Sequence, residues 1–426
     1  MIDLGIDSDG IINGQVLTSD IVNVLTLDVS AKGINDLTGI EGFAALEDLN
    51  VRLNQLTTIN VSNNTSLKKL DCWGNNNLSF LDLTNNTFLE VLIARATLLS
   101  TLNLSNNTSL KSLNCSFCPL ASLDLSNNTD LEYLEIADTS ISSIDLSNNT
   151  ALTFLNCNGT NSLLSLDLSN NLQLEYLGII GAWLDEIDLK NNTALKTLYA
   201  SGNFLINIDL SSNINLEFLE ITDNLLEGLD LTNNPLLKEL YCGNPGQIPA
   251  NEITSLDLSN NPNLEILHAE NLYSLTSLNL KNGNNIILTE VYIDCLFEGY
   301  PCLLPLNCVE VDNEVAANNN HFPYIAWYID ASFVYSEDCS LSSPAFEKLT
   351  SFFVYPNPVN ESLSIYTTFC NSCKVKIFSP KGKLLYNEIL KASQDKIDVK
   401  QLSNGMYFIV VENEVGIKQT EKFVKK

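Results

Sequence analysis

Histidine, a common general base and zinc ligand, is almost absent from this chain. Its 426 residues contain only His268 and His321. The sequence also contains no nucleophile-elbow motif, no phosphate-binding glycine loop and no zinc-protease helix motif. We therefore predict that the protein is not an enzyme and that it uses no cofactor and no metal.

Carboxylates, in contrast, recur at a nearly constant spacing. They are too frequent to identify the two carboxylates of a glycosidase. Because neighbouring like charges repel, Ser or Asn donors, raised pKa values or bound cations must relieve the repulsion. We favour a solvated, hydrogen-bonded row over a site for divalent cations. The aspartates of this row are Asp82, Asp124, Asp145, Asp167, Asp188, Asp209, Asp230 and Asp257.

Four of the eleven cysteines lie close together, just after the repeated part of the chain: Cys295, Cys302, Cys308 and Cys339. We predict a Cys308–Cys339 disulfide and a second Cys295–Cys302 bridge, although four cysteines allow three pairings. Zinc binding is the rival interpretation, but the spacing lacks the close C-x2-4-C ligand pair. Disulfides indicate an oxidising compartment. Cys370 and Cys373 are expected to form a local bridge or to stay as inert thiols.

A short motif positions most of these residues. An apolar–Asp/Asn–apolar triplet occurs eleven times between Ile59 and Leu280, 21 or 22 residues apart except for one interval of 27. A fixed period of this length is typical of a solenoid whose coils stack on one another. One period, residues 195–213, contains the pattern LxxLxLxxN twice. Since successive side chains of a strand point to opposite faces, both leucines of LxL point inward and the residue between them faces solvent.

The repeated motif resembles that of short-period bacterial leucine-rich repeat proteins over residues 24–294. The resemblance implies a mostly β fold, a solenoid of about 11–12 coils with parallel strands. We divide the chain into an N-terminal cap (1–45), leucine-rich repeats (46–294), a disulfide-linked C-terminal cap (295–345) and a small β-sandwich (346–426).

The repeat also predicts two sets of inward side chains. Cys72, Cys115, Cys157 and Cys242 fill the inward strand position in coils that are never adjacent, about 9.6 Å apart or more. A disulfide needs roughly 4.4–6.8 Å between Cα atoms, so we expect buried free thiols, with Cys118 as a fifth. The second set is a ladder of asparagines whose amides would satisfy both the N–H and the C=O groups of the buried turns: Asn86, Asn107, Asn128, Asn149, Asn171, Asn192, Asn213 and Asn234.

The two halves of each coil vary differently. The Asp-Leu-Ser-Asn-Asn half hardly changes between coils, whereas the solvent-facing positions of the LxxLxC half vary, as expected for a recognition face on a rigid scaffold. A stripe of rings on this face suggests binding of a protein or stacking on sugar rings. Alternatively, aromatic residues simply favour strands and pack across rungs. The candidate ligand-binding residues are Tyr133, Phe154, Tyr176 and Phe218 at one strand position, Tyr199, Tyr241, His268 and Tyr292 two residues on, and Trp73 near one end.

The composition changes after Pro344. Residues 346–426 contain 12 Lys and 8 acidic residues (net +4), which leaves 10 basic and 43 acidic residues (net −33) for residues 1–345. So acidic a segment is unsuited to nucleic acid. Short alternating strands separated by Pro, Asn and Gly predict a β-sandwich. The segment also resembles the type A C-terminal sorting domain of type IX secretion cargo in Gram-negative bacteria, through Tyr355, Pro356, Asn357, Pro358, Gly405 and Tyr407.

These observations predict an exported, non-catalytic leucine-rich repeat protein that is secreted or held at the outer cell surface. Its partners would be the type IX secretion machinery and a protein or polysaccharide ligand, bound through the variable strand face. The alternative is a structural or adhesive spacer without a specific ligand. We find no 18-residue apolar run that would span a membrane. We find no signal peptide and expect the start of the chain to be truncated.

Overall fold

The computed structural model describes residues 4–11, 14–246, 250–294, 304–331, 333–340, 352–367, 373–380, 383–390, 396–412 and 418–426, with the side chains of residues 352, 353, 355, 366, 367, 418 and 419 left aside. The chain divides into two compact units, Met1–Cys339 and Ser340–Lys426. In the described residues, no helix is long and apolar enough to cross a membrane.

Most strands of the first unit are three residues long, and turns and loops join them. Two short α-helices, α1 (Thr18–Ile21) and α2 (Glu314–Asn318), and two 3-10 helices, Ile40–Gly42 and Tyr324–Ala326, lie near its ends. The strands are β1 (Thr26–Asp28), β2 (Asp48–Asn50), β3 (Thr58–Asn60), β4 (Lys69–Asp71), β5 (Phe80–Asp82), β6 (Val91–Ile93), β7 (Ser112–Asn114), β8 (Tyr133–Glu135), β9 (Phe154–Asn156), β10 (Tyr176–Gly178), β11 (Thr197–Tyr199), β12 (Phe218–Glu220), β13 (Glu239–Tyr241), β14 (Ser255–Asp257), β15 (Ile266–His268), β16 (Ser277–Asn279), β17 (Glu290–Ile293), β18 (Cys308–Glu310), β19 (Tyr328–Ile329) and β20 (Val334–Ser336).

One long parallel sheet holds the variable half of the coils. Its strand order is β1-β2-β4-β6-β7-β8-β9-β10-β11-β12-β13-β15-β17-β19, and each strand is one rung of the solenoid. The register is constant: Leu177 pairs with Leu155 on one side and with Leu198 on the other. The other half of the coils forms two shorter parallel sheets, β3-β5 and β14-β16-β18-β20. The solenoid with parallel strands is the predicted fold.

The sheets extend beyond the predicted repeat region at both ends. Strand β1 pairs with β2 although it lies within the predicted N-terminal cap. Strands β18, β19 and β20 continue the two sheets through the predicted C-terminal cap. Both additions follow from alternating apolar residues, such as Leu27 and Val29, which are buried like the leucines of the regular coils.

Leucine fills the interior of every coil. The central strand residues, such as Leu49, Leu134 and Leu219, are fully buried, because the residues on either side of them point to the opposite face. The predicted thiols behave in the same way: Cys72, Cys115, Cys157, Cys242 and Cys118 are free and buried. Burial raises the pKa of each of the thiols of Cys157 and Cys242 to about 12, so these cysteines act as small apolar side chains.

The predicted asparagine ladder is present, and all eight of its members are fully buried. Each amide donates to two carbonyls of the preceding coil. The Nδ2 of Asn149, for example, lies 3.2 Å from the Leu125 oxygen and 2.8 Å from the Asn128 oxygen. The prediction that each amide also satisfies N–H groups was wrong, because Oδ1 of every ladder member is buried without a hydrogen-bond partner. Asn64 and Asn261 extend this ladder in the same way.

A second asparagine ladder lies where the chain leaves the variable strand, and there the amides do satisfy both kinds of group. Asn203 donates to the Ile179 carbonyl at 2.8 Å and accepts from the Leu184 N–H at 3.0 Å. Asn224 repeats the arrangement one coil later. Cys118 occupies the equivalent position in its own coil, and its thiol donates to the Ala94 carbonyl.

The C-terminal end of the solenoid is closed by aromatic residues and a disulfide. The indole of Trp327 donates to the Leu288 carbonyl at 2.7 Å, and Tyr324 packs beside it. The predicted Cys308–Cys339 disulfide is present, with the two Cα atoms 5.9 Å apart. Cys295 and Cys302, the predicted second bridge, lie outside the described residues.

The second unit contains two antiparallel sheets, β21-β22-β25 and β24-β23-β26-β27. Val359, Leu363, Val375 and Phe423 lie in its core. Cys373 is disulfide-bonded, and Cys370 lies outside the described residues. The strands are β21 (Phe352–Tyr355), β22 (Ser362–Thr367), β23 (Cys373–Phe378), β24 (Leu384–Leu390), β25 (Lys396–Asp398), β26 (Gly405–Glu412) and β27 (Lys418–Lys425).

Two residues of the predicted sorting motif hold this unit together. Asn357 donates to the Lys422 carbonyl at 3.1 Å and accepts from the Val424 N–H at 2.8 Å, so its amide ties the start of the unit to the last strand. The hydroxyl of Tyr407 donates to the Ser403 carbonyl at 2.7 Å, four residues upstream.

Candidate binding surface

The variable sheet brings the predicted aromatic residues into one continuous column, called the aromatic stripe below. Tyr133, Phe154, Tyr176 and Phe218 are the first residues of their strands. Tyr199, Tyr241 and His268 are the third residues of theirs, and Tyr292 is equivalent to them. The column first passes from the first to the third strand position between Tyr176 and Tyr199, whose ring centroids are 5.6 Å apart. It returns to the first position at Phe218 and stays at the third position from Tyr241 to Tyr292.

The two parts of the stripe differ in ring geometry. Tyr133, Phe154 and Tyr176 are stacked face to face, with centroids 4.3 and 4.2 Å apart and ring planes within 12°. From Tyr199 onward the rings are tilted by 35–44° to their neighbours, with centroids 4.6–6.0 Å apart. The first part therefore covers its own ring faces, and the second part leaves them more open.

One ring of the stripe was not anticipated, and one predicted residue lies away from it. Tyr328, on β19, stands 6.0 Å from Tyr292 and extends the stripe into the closing segment. The position of Tyr328 could not be predicted from the repeat, because the repeat period ends before it. Trp73 lies two residues after β4, three rungs before the rung of Tyr133, and the Arg52 guanidinium lies 5.9 Å from its ring centroid.

Carboxylates accompany the stripe on the same strands. Glu135 accepts hydrogen bonds from the Tyr133 hydroxyl and from the Asn114 amide. Glu220 accepts from the Ser201 hydroxyl at 2.9 Å, and Glu239 accepts from the Tyr241 hydroxyl at 3.1 Å. These glutamates flank the central leucine of their strands, so the alternation that predicted the aromatic residues could also have predicted them.

His268 lies between two carboxylates within the stripe. Its Nδ1 is 2.9 Å from Glu270 and its Nε2 is 2.7 Å from Glu290. The ring thereby links the carboxylate that follows β15 to the carboxylate that begins β17.

Four tyrosine hydroxyls of the stripe lose protons less readily than a free tyrosine does. Burial and the neighbouring Glu239 raise the pKa of Tyr241 to about 12. Burial also raises the pKa of Tyr133, Tyr176 and Tyr199. The stripe thus presents apolar rings, tyrosine hydroxyls and carboxyl groups.

The aspartate row on the opposite half is a hydrogen-bonded series, as we favoured. Each aspartate accepts from the residue two positions on, as Asp82 does from the N–H and the hydroxyl of Thr84, at 3.0 and 2.6 Å. These bonds lower the pKa of Asp82, and equivalent bonds lower the pKa of Asp124, Asp145, Asp167, Asp188, Asp209 and Asp230. No group of three or more His, Cys, Asp or Glu among the described residues is arranged to hold a metal ion.

An edge of the variable sheet carries alternating charges that we did not predict. From β2 to β17 the residue before the strand alternates between Glu and Lys on successive rungs, except that Thr153 and Thr289 take two of the Lys places. Four of the Glu–Lys pairs form salt bridges at 2.6–3.2 Å. The pairs are Glu47–Lys68, Glu90–Lys111, Glu175–Lys196 and Glu217–Lys238. This alternation was visible in the sequence as LE and LK at the start of successive coils.

Comparison with known proteins supports the division of the chain into a solenoid and a tail. Residues 353–426 match the family described as secretion system C-terminal sorting domain. The fold is similar to the functional domain of InlJ from Listeria monocytogenes, with 20% identity, a TM-score of 0.52, and coverage of 96% of this chain and 92% of that one. It is also similar to an internalin, inlF, from the same species, with 25% identity, a TM-score of 0.55, and coverage of 67% of this chain and 91% of that one.

No curated protein matched the whole sequence. The tail match and the fold likeness agree with both resemblances noted in the sequence. The chain is a leucine-rich repeat solenoid that ends in a secretion system C-terminal sorting domain.

Proposed function

We propose that this protein is secreted or displayed at the outer cell surface, where its solenoid binds a macromolecule without catalysing a reaction. The match of residues 353–426 to a secretion system sorting domain supports this location. The observation that carries the binding role is the aromatic stripe, eight predicted rings that form one column on the variable face. Large amphipathic aromatic residues are the side chains most enriched at protein interfaces.

A protein ligand fits this surface better than a glycan. Stacking on a sugar ring uses the face of an aromatic side chain. In Tyr133, Phe154 and Tyr176 the faces are stacked against each other at 4.2–4.3 Å, so most of the ring faces are not available to a sugar. Ring edges, hydroxyls and carboxylates together suit the mixed polar and apolar surface of a protein.

The competing function is a structural spacer, and the same stacking favours it, because packing across rungs can by itself account for aromatic residues in strands. A binding experiment separates the two functions. It compares the wild-type solenoid with its Tyr176→Ala and Tyr199→Ala variants on an array of proteins and glycans. We expect specific protein signals that both variants lose while their thermal unfolding stays cooperative. Silence of the wild type across the array favours the spacer.

A further inference from the structure

The second part of the aromatic stripe has an unbalanced negative charge. Glu220, Glu239, Glu270 and Glu290 lie on or beside its strands, and Asp294 follows β17. Between residues 133 and 339 the chain contains four lysines and no arginine. The ammonium group of each of these lysines forms its salt bridge or hydrogen bond with a partner outside the stripe.

Each lysine has an identified partner. Lys196 and Lys238 form the edge salt bridges with Glu175 and Glu217. On the opposite half, Lys190 pairs with Asp188. Lys281 donates to the Glu337 carbonyl at 2.8 Å. Among the described residues of the solenoid, the carboxylates of the stripe thus have no basic side chain as a partner apart from His268.

The first rungs of the same sheet differ from this part of the stripe. There the chain supplies its own cations: the guanidinium of Arg95 lies 4.6 Å from the Phe117 ring centroid and that of Arg52 lies 5.9 Å from Trp73. Arg95 is also close enough to lower the pKa of Tyr133, against the larger effect of burial. Arginine over an aromatic ring is a favourable contact, and this face forms it wherever the sequence provides the arginine.

Ring geometry identifies the same part of the stripe as the accessible one. The rings from Tyr199 onward are tilted rather than stacked flat. Tyr292 is 41% exposed and Tyr328 is 52% exposed. A side chain from outside can therefore reach ring faces and carboxylates together here.

We infer that the part of the stripe from Tyr199 to Tyr328 recognises a lysine- and arginine-rich segment of a protein partner. This inference rests on the proposed binding role and adds the chemical class of the partner. The cationic groups would bond to Glu220, Glu239 and Glu290, while their aliphatic stems and the guanidinium planes would pack on the tilted rings. A neutral or acidic segment would leave the carboxylates desolvated without a partner.

The test measures binding of two labelled peptides to the full chain by fluorescence anisotropy, at low and at raised salt. One peptide is rich in Lys and Arg, and the other carries Gln at every basic position. We expect the basic peptide to bind in a salt-sensitive way and the Gln peptide not to bind. The triple variant E220Q/E239Q/E290Q should weaken binding of the basic peptide by on the order of tenfold or more.

A matched control removes the same number of charges from the other half of the coils. The variant D167N/D188N/D209N changes three aspartates of the row, and Asn103 already occupies an equivalent position with its Oδ1 accepting from Ser105. We expect this control to bind the basic peptide like the wild type. Equal weakening in both variants would mean that overall negative charge attracts the peptide, and the inference would be wrong.

Failure of the inference can be told apart from failure of the binding role. If the wild type binds neither peptide, or binds both equally, the cationic partner is excluded. Protein signals on the array that depend on Tyr176 and Tyr199 would then still support the binding role. Silence of the array would remove the binding role itself.

Discussion

The two asparagine ladders show how one residue type is used in two ways. In the second ladder, Asn203 and Asn224 donate to carbonyls and accept from N–H groups. In the first ladder, represented by Asn149, the amide only donates, and its Oδ1 is buried without a partner. The first ladder therefore requires asparagine because its side-chain amide donates hydrogen bonds to two buried carbonyls.

Substitution in the first ladder tests this interpretation. Asn149→Ala should lower the free energy of unfolding by about 2–4 kcal/mol, because the buried carbonyls of Leu125 and Asn128 lose their donor. Asn149→Asp should cost more, because it removes the same donor and places a carboxylate against two carbonyl oxygens. Urea unfolding followed by circular dichroism measures both. Equal stability of Asn149→Asp and the wild type would contradict the donor role.

The aspartate row makes stability depend on acid pH. Hydrogen bonds from the residue two positions on lower the pKa of Asp124, Asp145 and Asp167 in the folded state. A lowered folded-state pKa contributes stability above the ordinary Asp pKa of 3.8, and this contribution is lost as the pH falls below that value. The variant D124N/D145N/D167N should therefore lose less stability than the wild type on acidification below 3.8.

Urea midpoints measured at neutral pH and at a series of acid pH values provide the comparison, with the difference at neutral pH as the baseline. Parallel acid-induced losses in the variant and the wild type would show that these three aspartates do not contribute to the pH dependence.

At the scale of the strand, the structural unit is a pair of coils. Edge Glu and Lys alternate from one rung to the next, and cysteine fills the inward position only on alternate rungs, at Cys72, Cys115, Cys157 and Cys242. The apolar interior of one coil can stack on that of any other coil. The edge charges attract each other only when a coil that carries Glu lies next to a coil that carries Lys. The edge therefore helps to set the order of coils.

Charge reversal at this edge tests its contribution. Lys196 contacts Glu175, and its carbonyl accepts from the N–H of Glu217 on the next rung. Lys196→Glu would place three carboxylates on successive rungs and should cost about 1 kcal/mol, whereas Lys196→Gln should cost less, about 0.5 kcal/mol. Raised salt should reduce the difference between the two variants. Identical urea midpoints at low salt would show that the alternation has no energetic role.

Considered as a whole, the chain combines an acidic solenoid, net −33 for residues 1–345, with a basic tail, net +4 for residues 346–426. Each compact unit has its own hydrophobic core. This separation fits a tail whose task is delivery and a solenoid whose task is carried out after delivery.

Deletion of residues 340–426 tests that division of labour. In a bacterium that has type IX secretion, we expect the truncated chain to accumulate inside the cell and the full chain to appear in the medium or on the surface. Immunoblots of cell fractions measure this. Thermal unfolding of the purified truncated solenoid serves as the folding control. Export of a folded, truncated chain would contradict the role assigned to the tail.

The sequence alone determined the solenoid, the inward leucines and the buried thiols. This was possible because backbone hydrogen bonds between parallel strands fix the spacing of coils, so a residue's place in the repeat defines its face and its neighbours. Only the tertiary structure decided how the side chains meet within that spacing. Four features depend on side-chain rotamers. They are the contact of Tyr176 with Tyr199 across two strand positions, the tilt of the later rings, the position of Tyr328 and the unpartnered Oδ1 atoms. Rotamers are set by contacts between coils and not by the period of the repeat.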